Sequence, residues 1–350
     1  MRLQTAGPLS TDSAGAYKMP LLQLDPSFTR MATSDTEPRT VPTSSPGTWN
    51  GNSRPFPRWT PNTPKQIEDK VREFRNSTLP PPAFTAFSPT SVRKELTRLP
   101  IKKAPGVDAS INAHLRHLPH KTVAAVTRLF NGIIRSGHFS TKWKTGLVIM
   151  IPKPRKDVRK AESYRPITLL PSISKVFERL FLSQLLPHLP QRTEQFGFRS
   201  ELSTTHQLAR VIYVLTAALN KKEAACAVFL DMEKAFDRVW HDGLIAKLLD
   251  AGVPLHLVRV LLSFLTDRKF TVRVENALSE ILCILAGVPQ GSCVSPTLYN
   301  FYGADIPCHD NSILAMYADD TAYIATSLNR NHAAIKIQRC LDLLPSWLQK

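Results

Sequence analysis

The 350-residue sequence has few cysteines and lacks a long apolar stretch. Its five cysteines form no CxxC pair and show no metal-ligand spacing with histidine, which argues against a disulfide scaffold and a zinc site. No apolar run is long enough to span a bilayer, and no compact hydrophobic segment of the signal-peptide type begins the chain. We therefore expect a protein of the nucleus and cytoplasm, without a membrane partner.

The first 66 residues contain 27 Pro, Ser or Thr residues and few aliphatic ones. Such a segment cannot bury enough apolar surface to offset the entropy lost on ordering. We predict that residues 1–66 are disordered and that residues 67–91 form a connector, with a short helix around Pro64 to Phe74. The folded part is expected to begin near Ser88, a candidate N-cap.

Charge is unevenly distributed along a chain whose formal net charge is +17. Residues 92–221 carry 23 Lys or Arg and 7 acidic residues, a net charge of +16, whereas residues 222–322 carry 8 and 13. A basic body next to an acidic segment is typical of an enzyme that handles a polyanion, since Lys and Arg neutralise phosphates. A solvated basic face is the alternative for any single cluster.

Two adjacent carboxylates, Asp319 and Asp320, lie between short apolar runs at residues 313–315 and 322–324. Because Asp is rare within strands and common in turns, this pattern predicts a hairpin with an acidic tip. Taken alone, it is equally typical of a solvated turn. A second carboxylate site, Asp231, ends the apolar run of residues 225–230, which reads as a buried strand.

If that strand lies beside the hairpin, three carboxylates meet at one end of a sheet and repel one another unless cations neutralise them. Hard divalent cations prefer oxygen ligands, which indicates magnesium. Two such ions about 3.5–4 Å apart stabilise the attacking and leaving oxygens of an in-line phosphoryl displacement. The arrangement therefore predicts nucleotidyl transfer.

Three ordered segments carry a more specific signal: FLDMEKAFDRVW at 229–240, GVPQGSCVSP at 287–296 and YADD at 317–320. They resemble motifs of reverse transcriptases, above all those of non-LTR (LINE-type) retrotransposons of the jockey-like branch. Segments 103–108, 163–170, 174–179 and 195–199 resemble the same group, so the similarity extends from about residue 84 to the end of the sequence.

The resemblance implies an α+β right-hand polymerase fold, with helical fingers at 92–221 and an incomplete palm, built on an antiparallel sheet, at 222–350. It implies DNA synthesis from deoxynucleoside triphosphates on an RNA template, starting from the 3′-hydroxyl of a DNA primer, which in intact relatives is the nicked target. Relative to the family pattern, the thumb and the endonuclease domain are missing, so we expect a truncated copy.

By the same resemblance, Asp231 and Asp319 hold two Mg²⁺ ions, one lowering the pKa of the primer hydroxyl and the other holding the triphosphate. Asp320 supports this site. Lys153 and Arg165 contact the triphosphate, and Arg is suited to forked phosphate contacts. The basic run that contains Lys153 is also compatible with a surface loop or a localisation signal.

Phe236 resembles the steric gate that lies beneath the sugar and excludes a 2′-hydroxyl, although a core aromatic is the alternative. Gln290 and Gly291 resemble nucleotide and template contacts, in a loop expected to present free amides to anions as it opens a helix at Ser295. Amphipathic helices from Ser172 to Pro187 and over residues 204–219 are expected to fill the fingers.

Two other functions remain open at this stage. A catalytically inactive, nucleic-acid-binding remnant would bind RNA without incorporating nucleotides. An RNA-templated RNA polymerase shares the same arrangement of carboxylates, but Phe236 and the Tyr-Ala before the acidic pair argue against it.

Overall fold

The computed structural model describes residues 63–348, apart from residues 81, 158, 161, 162 and 276. Within this part of the chain, helices and antiparallel strand pairs form a mixed α/β fold, as predicted. Of the segment predicted to be disordered, residues 1–66, the first 62 lie outside the described residues, whereas Thr63 to Gln66 form the cap and first turn of a helix. None of the helices found here has the length and apolarity that a membrane crossing requires.

The helices precede, separate and follow two sheets. They are α1 (Pro64–Asn76), α2 (Pro89–Thr97), α3 (Asn112–Arg116), α4 (His120–Ser136), α5 (Ser172–Leu185), α6 (Thr204–Asn220), α7 (His241–Asp250), α8 (Leu255–Leu265), α9 (Ser295–Tyr302), α10 (Arg330–Leu341) and α11 (Leu344–Leu348). Their ends follow local signals: Thr63 and Ser88 form capping boxes before α1 and α2, and Gly137 ends α4 in the left-handed conformation.

The first sheet has five strands, β1 (Thr145–Pro152), β2 (Tyr164–Leu169), β4 (Arg268–Val274), β5 (Ala277–Leu278) and β6 (Leu282–Ile284). β1 pairs with β2 antiparallel and with β4 parallel, and β5 and β6 both pair with β4. The second sheet has three strands in the order β3, β8, β7, all antiparallel: β3 (Ala224–Leu230), β7 (Ile313–Tyr317) and β8 (Asp320–Ser327).

The main hydrophobic core joins α1, α2, α4, α5, α7, α8 and α9. Residues 67–91 contribute to this core directly, because Ile67, Val71 and Phe74 of α1 are buried in it. The predicted connector is therefore in part a core helix. The apolar residues of α1 follow the i, i+4, i+7 spacing of one helix face, but composition alone does not show which core that face joins.

Two further expectations differ from the structure. α6 does not fill a helical subdomain but packs on β7 and β3, and it leaves Leu208 and Ile212 61% and 50% exposed. The parallel pair of β1 and β4 also places residues from both sides of the predicted boundary at 221/222 in one sheet. Periodicity identifies strands, but not which distant strand becomes the neighbour.

Candidate active site

The acidic pair lies at the tip of the hairpin formed by β7 and β8. Tyr317 pairs with Asp320, so Ala318 and Asp319 form a two-residue turn, as the sequence predicts. Ala318 has a φ of 58°. Two-residue turns with positive φ at the first position normally place glycine there. Asp319 is half-buried, and Asp320 is exposed.

Asp231 reaches the same end of the sheet from β3. Leu230, the last residue of β3, lies opposite Thr321 in the antiparallel pair with β8. The next residue, Asp231, therefore follows β3 at the end where Asp320 begins β8, and it is exposed. The strand register thus places the three acidic residues at one end of the sheet.

Electrostatics link the three acids to one another and to a buried tyrosine. Although Asp320 is exposed overall, partial desolvation of its carboxyl group, and then the charges of Asp319 and Asp231, raise its pKa. Burial raises the pKa of Tyr299, and the charges of Asp319 and Asp320 raise it further. Tyr299, on α9, is therefore a neutral phenol next to a cluster of negative charge, with its hydroxyl 3.8 Å from the Met232 sulfur.

The donor set fits a divalent metal by its chemistry, because clustered carboxylates provide the oxygen ligands that hard cations prefer. A bound cation would relieve the repulsion that raises the pKa of Asp320. As the side chains are placed, no three His, Cys, Asp or Glu residues in the described part of the chain converge on one point that could hold an ion. Coordination therefore requires the carboxylates to turn toward each other.

Phe236 lies next to this cluster through its contact with Tyr299. The two rings stack with centroids 4.5 Å apart and an interplanar angle of 17°, and Phe198 meets Phe236 edge-on at 5.9 Å. Phe236 is only half-buried. Phe236 lies in a short 3₁₀ helix, Ala235–Arg238, and not in a regular α-helix. Part of the residue is therefore accessible at the surface near the acids.

The loop that carries Gln290 and Gly291 is joined to the same segment. Val288 N donates to Phe236 O at 2.8 Å, and Gln290 Nε2 donates to Asp237 Oδ1 at 3.0 Å. On its other side, Thr168 N of β2 donates to Gln290 O at 3.1 Å. Gly291 has a φ of +118°, and a Cβ there would lie 2.3 Å from Thr168 O, so the close contact requires glycine.

The amides after this loop are not free for an anion, contrary to the sequence expectation. Glu178 of α5, only 1% exposed, accepts from Cys293 N at 2.6 Å and from Ser292 Oγ at 2.7 Å. Ser292 Oγ in turn accepts from Val294 N and Ser295 N at 3.0 and 3.3 Å. Side chains within the protein thus satisfy the start of α9, which leaves Gln290 and Gly291 as the accessible part of the loop.

Arg165 and Lys153 lie on the β1–β2 hairpin, which is linked to the acids through the loop of Gln290 and Gly291. Arg165, on β2, is exposed and lies opposite Ile151 in the register, three residues from the Thr168 contact with the loop. Lys153 follows the end of β1, and its amide donates to Ser163 O at 2.7 Å. The structure therefore connects these two residues with the site through β2.

Comparison with known protein families identifies the family of this chain. A family model described as reverse transcriptase (RNA-dependent DNA polymerase) matches residues 151–350. This range contains every site residue predicted from the sequence. The chain belongs to the reverse transcriptase family.

The relatives of this reverse transcriptase chain confirm the resemblance to jockey-like elements. It is 42% identical over 264 residues to the probable RNA-directed DNA polymerase from transposon BS of Drosophila melanogaster. That alignment covers 72% of this chain and 29% of the relative. The chain is 38% identical to two further proteins of the same species: the RNA-directed DNA polymerase from the mobile element jockey and the probable RNA-directed DNA polymerase from the transposon X-element. These two alignments cover 81% and 82% of this chain and 32% of each relative.

Sequence reasoning did not assign a role to three residues that the structure places against the site: Tyr299, Glu178 and Gln195. Glu178 and Gln195 occur in the segments that carry the family resemblance, but their contacts join elements more than 100 residues apart. Tyr299 reads as an ordinary apolar position of α9. Only the carboxylates, which repel one another, could be found from residue type and spacing alone.

Proposed function

We propose that this chain carries the catalytic core of an RNA-directed DNA polymerase, which extends a DNA primer on an RNA template with deoxynucleoside triphosphates. The observation that supports it most is the strand register that brings Asp231 next to the acidic turn of Asp319 and Asp320. Because the chain spans about 30% of the length of the relatives it matches, the activity of those whole proteins is a proposal here.

In this proposal Asp231 and Asp319 would hold two Mg²⁺ ions, and Asp320 would support them. When bound, the ions would lower the pKa of the primer hydroxyl and neutralise charge on the triphosphate. Arg165 and Lys153 would add positive charge at the phosphates. Phe236, firmly stacked on Tyr299, would lie beneath the sugar of the incoming nucleotide, and Gln290 and Gly291 would contact the nucleotide and the template.

The five-stranded sheet with its helices would form the fingers, and the three-stranded sheet with α6 and α10 would form the palm. This assignment moves β4 to the fingers, although its residues fall within the range 222–350 expected for the palm. The exposed basic loop between β1 and β2 suits contact with a polyanion. RNA and chromosomal DNA as partners are consistent with a protein of the cytoplasm and nucleus.

Primer extension tests the proposal. The 350-residue chain is incubated with a DNA primer on an RNA template, deoxynucleotides and Mg²⁺, beside its Asp319→Asn and Asp310→Asn variants. Asp310 is an exposed acid in the loop before β7, so its substitution controls for lost charge. We expect extension by the chain and by Asp310→Asn and a loss of at least about 100-fold in Asp319→Asn.

Absence of extension by the unaltered chain, with intact folding, would contradict the proposed activity. If RNA binding with a steep salt dependence persisted in that case, the inactive nucleic-acid-binding alternative would be favoured. Equal extension by Asp319→Asn and the unaltered chain would instead remove the acidic turn from the mechanism.

A further inference from the structure

The acidic turn is supported from outside its own sheet by the segment Glu194 to Gly197. This segment runs along the free edge of β7: Met316 N donates to Glu194 O at 3.1 Å, and Phe196 N donates to Met316 O at 2.9 Å. Gln195 and Met316 form a parallel bridge. The edge of the hairpin is therefore paired up to the residue before Tyr317.

Gln195 continues this pairing with its side chain, which bonds to both backbone groups of Ala318. Gln195 Oε1 accepts from Ala318 N at 2.8 Å, and Gln195 Nε2 donates to Ala318 O at 3.0 Å. The same Oε1 accepts from Gly197 N at 2.8 Å. The side chain is 3% exposed, so water cannot easily replace these bonds.

Ala318 is the residue in the turn that most needs such support. It adopts a φ of 58°, which is unfavourable for a residue with a Cβ atom, and it directly precedes Asp319. Without hydrogen-bond partners for its N–H and C=O groups, Ala318 would be free to adopt the more favourable extended conformation. That change would redirect Asp319 and Asp320 together.

The surroundings hold Gln195 in place. A Cβ at position 197 would lie 2.2 Å from Ala318 N, so Gly197 lets the two segments meet. Asn300 Nδ2 of α9 donates to Gly197 O at 2.7 Å. Gln207 Nε2 of α6 donates to Glu194 O and to Met316 O, both at 3.1 Å. Two helices thus anchor the segment from which Gln195 reaches the turn.

We infer that Gln195 is a positioning residue that sets the backbone conformation of the acidic turn and thereby the placement of Asp319 and Asp320. It acts through the backbone of Ala318. Its consequence for nucleotide addition rests on the proposed function, whereas its effect on the turn does not.

Amide hydrogen exchange of the full chain tests the effect on the turn without any assay of activity. Gln195→Met keeps the volume and removes all three bonds. Gln338→Met, on the exposed surface of α10 where Gln338 bonds to Asp342, is the matched control.

We expect the Ala318 amide to exchange about tenfold faster in Gln195→Met, since one lost buried hydrogen bond is worth roughly that factor. In Gln338→Met this amide should stay protected, and amides of β3 and β8 should change little in both variants. Unchanged exchange at Ala318 in Gln195→Met would overturn the inference, as would an equal increase throughout the sheet.

Primer extension then separates a positioning role from general destabilisation. We expect Gln195→Met to lower kcat and to raise the Mg²⁺ concentration for half-maximal rate, with the KM for deoxynucleotides close to that of the unaltered chain. A normal kcat and normal Mg²⁺ dependence would refute the role in placing the carboxylates. If the unaltered chain fails to extend a primer, the proposed function fails, and hydrogen exchange still decides the role of Gln195 in the turn.

Discussion

Replacing Glu178 with glutamine tests how the loop of Gln290 and Gly291 is held. Glu178 Oε2 accepts from Ser292 Oγ and Cys293 N, and Oε1 accepts from Ser174 Oγ at 2.7 Å. Glutamine has nearly the same shape, but its amide nitrogen cannot accept a hydrogen bond. Glu178→Gln therefore keeps the pair of bonds to the loop only when its amide nitrogen faces Ser174, whose hydroxyl must then accept instead of donating.

The charge of Glu178 also acts on Arg268, which is 1% exposed on β4. Burial lowers the pKa of Arg268 to about 10, and the negative charge of Glu178 works in the opposite direction. Arg268 Nη1 donates to Phe264 O at 3.1 Å, but its Nε has no partner among the described residues. Removing the charge of Glu178 thus leaves a buried cation with less compensation.

Together these losses predict a substantial effect on stability. A hydrogen bond to a charged group contributes about 1.5–3 kcal/mol, and Glu178 loses its charge near Arg268 without a direct ion pair being broken. Since glutamine keeps part of the bonding, we expect Glu178→Gln to reduce the free energy of unfolding by about 3 kcal/mol. Chemical denaturation measures it, with fluorescence of the buried Trp143, which packs on Phe177, as one reporter.

Glu233→Gln is the matched control, and an equal loss in Glu178→Gln and Glu233→Gln would refute the reasoning. Glu233 pairs with Arg238 at 2.9 Å, but the two side chains are 70% and 66% exposed, so this pair should contribute less than about 1 kcal/mol. A double-mutant cycle with Arg268→Met adds a second check, because compensation of charge predicts a coupling of about 1–3 kcal/mol between the two positions.

Three other predictions concern the residues around the site. Gly291→Ala should reduce the free energy of unfolding by about 2–3 kcal/mol, because its Cβ would lie 2.3 Å from Thr168 O; Gly252→Ala, at a φ of +70° with open space, should lose only about 1 kcal/mol in the same denaturation experiment. Phe236→Ala should reduce the preference for deoxynucleotides over ribonucleotides about tenfold or more in single-nucleotide primer extension, and Tyr213→Ala, on the exposed face of α6, should not. Burial lowers the pKa of His241 in the folded chain, so as the pH falls this histidine is protonated earlier in the unfolded chain. The free energy of unfolding should therefore decrease from pH 7.5 to 5.5. Denaturation at the two pH values should show a smaller decrease for His241→Gln.

Much of the architecture follows from local signals. The apolar spacing from Ser172 predicts a helix that ends before Pro187, and α5 spans Ser172–Leu185. The alternation beginning at Lys269 predicts β4 and its hairpin partner, and β6 pairs with β4 at Leu282 to Ile284. These elements are predictable because each pattern depends only on residues within one strand or one helix.

The partners of these elements are less accessible to such reasoning. α6 has the apolar spacing of a buried helix, yet it packs through Gln207 and Ala218, while Leu208 and Ile212 remain exposed. Spacing shows that a helix has an apolar face, but coverage of that face depends on which sheet it meets and in which orientation. The buried Glu178 and Arg268 are similar cases, since charged residues in an amphipathic pattern are expected at the surface.

The acidic turn depends both on a local sequence pattern and on contacts with a distant segment. A hairpin turn at the two carboxylates is readable from the sequence, and local rules would place glycine at the first position of a two-residue turn of this kind. The sequence has Ala318 there, so the turn does not follow from its own residues and needs bonds from elsewhere. The structure provides them from Gln195, 123 residues away. A local departure from turn chemistry directly beside clustered acids is therefore itself a signal, because such strain is kept only where distant contacts compensate for it and where the resulting geometry serves the site.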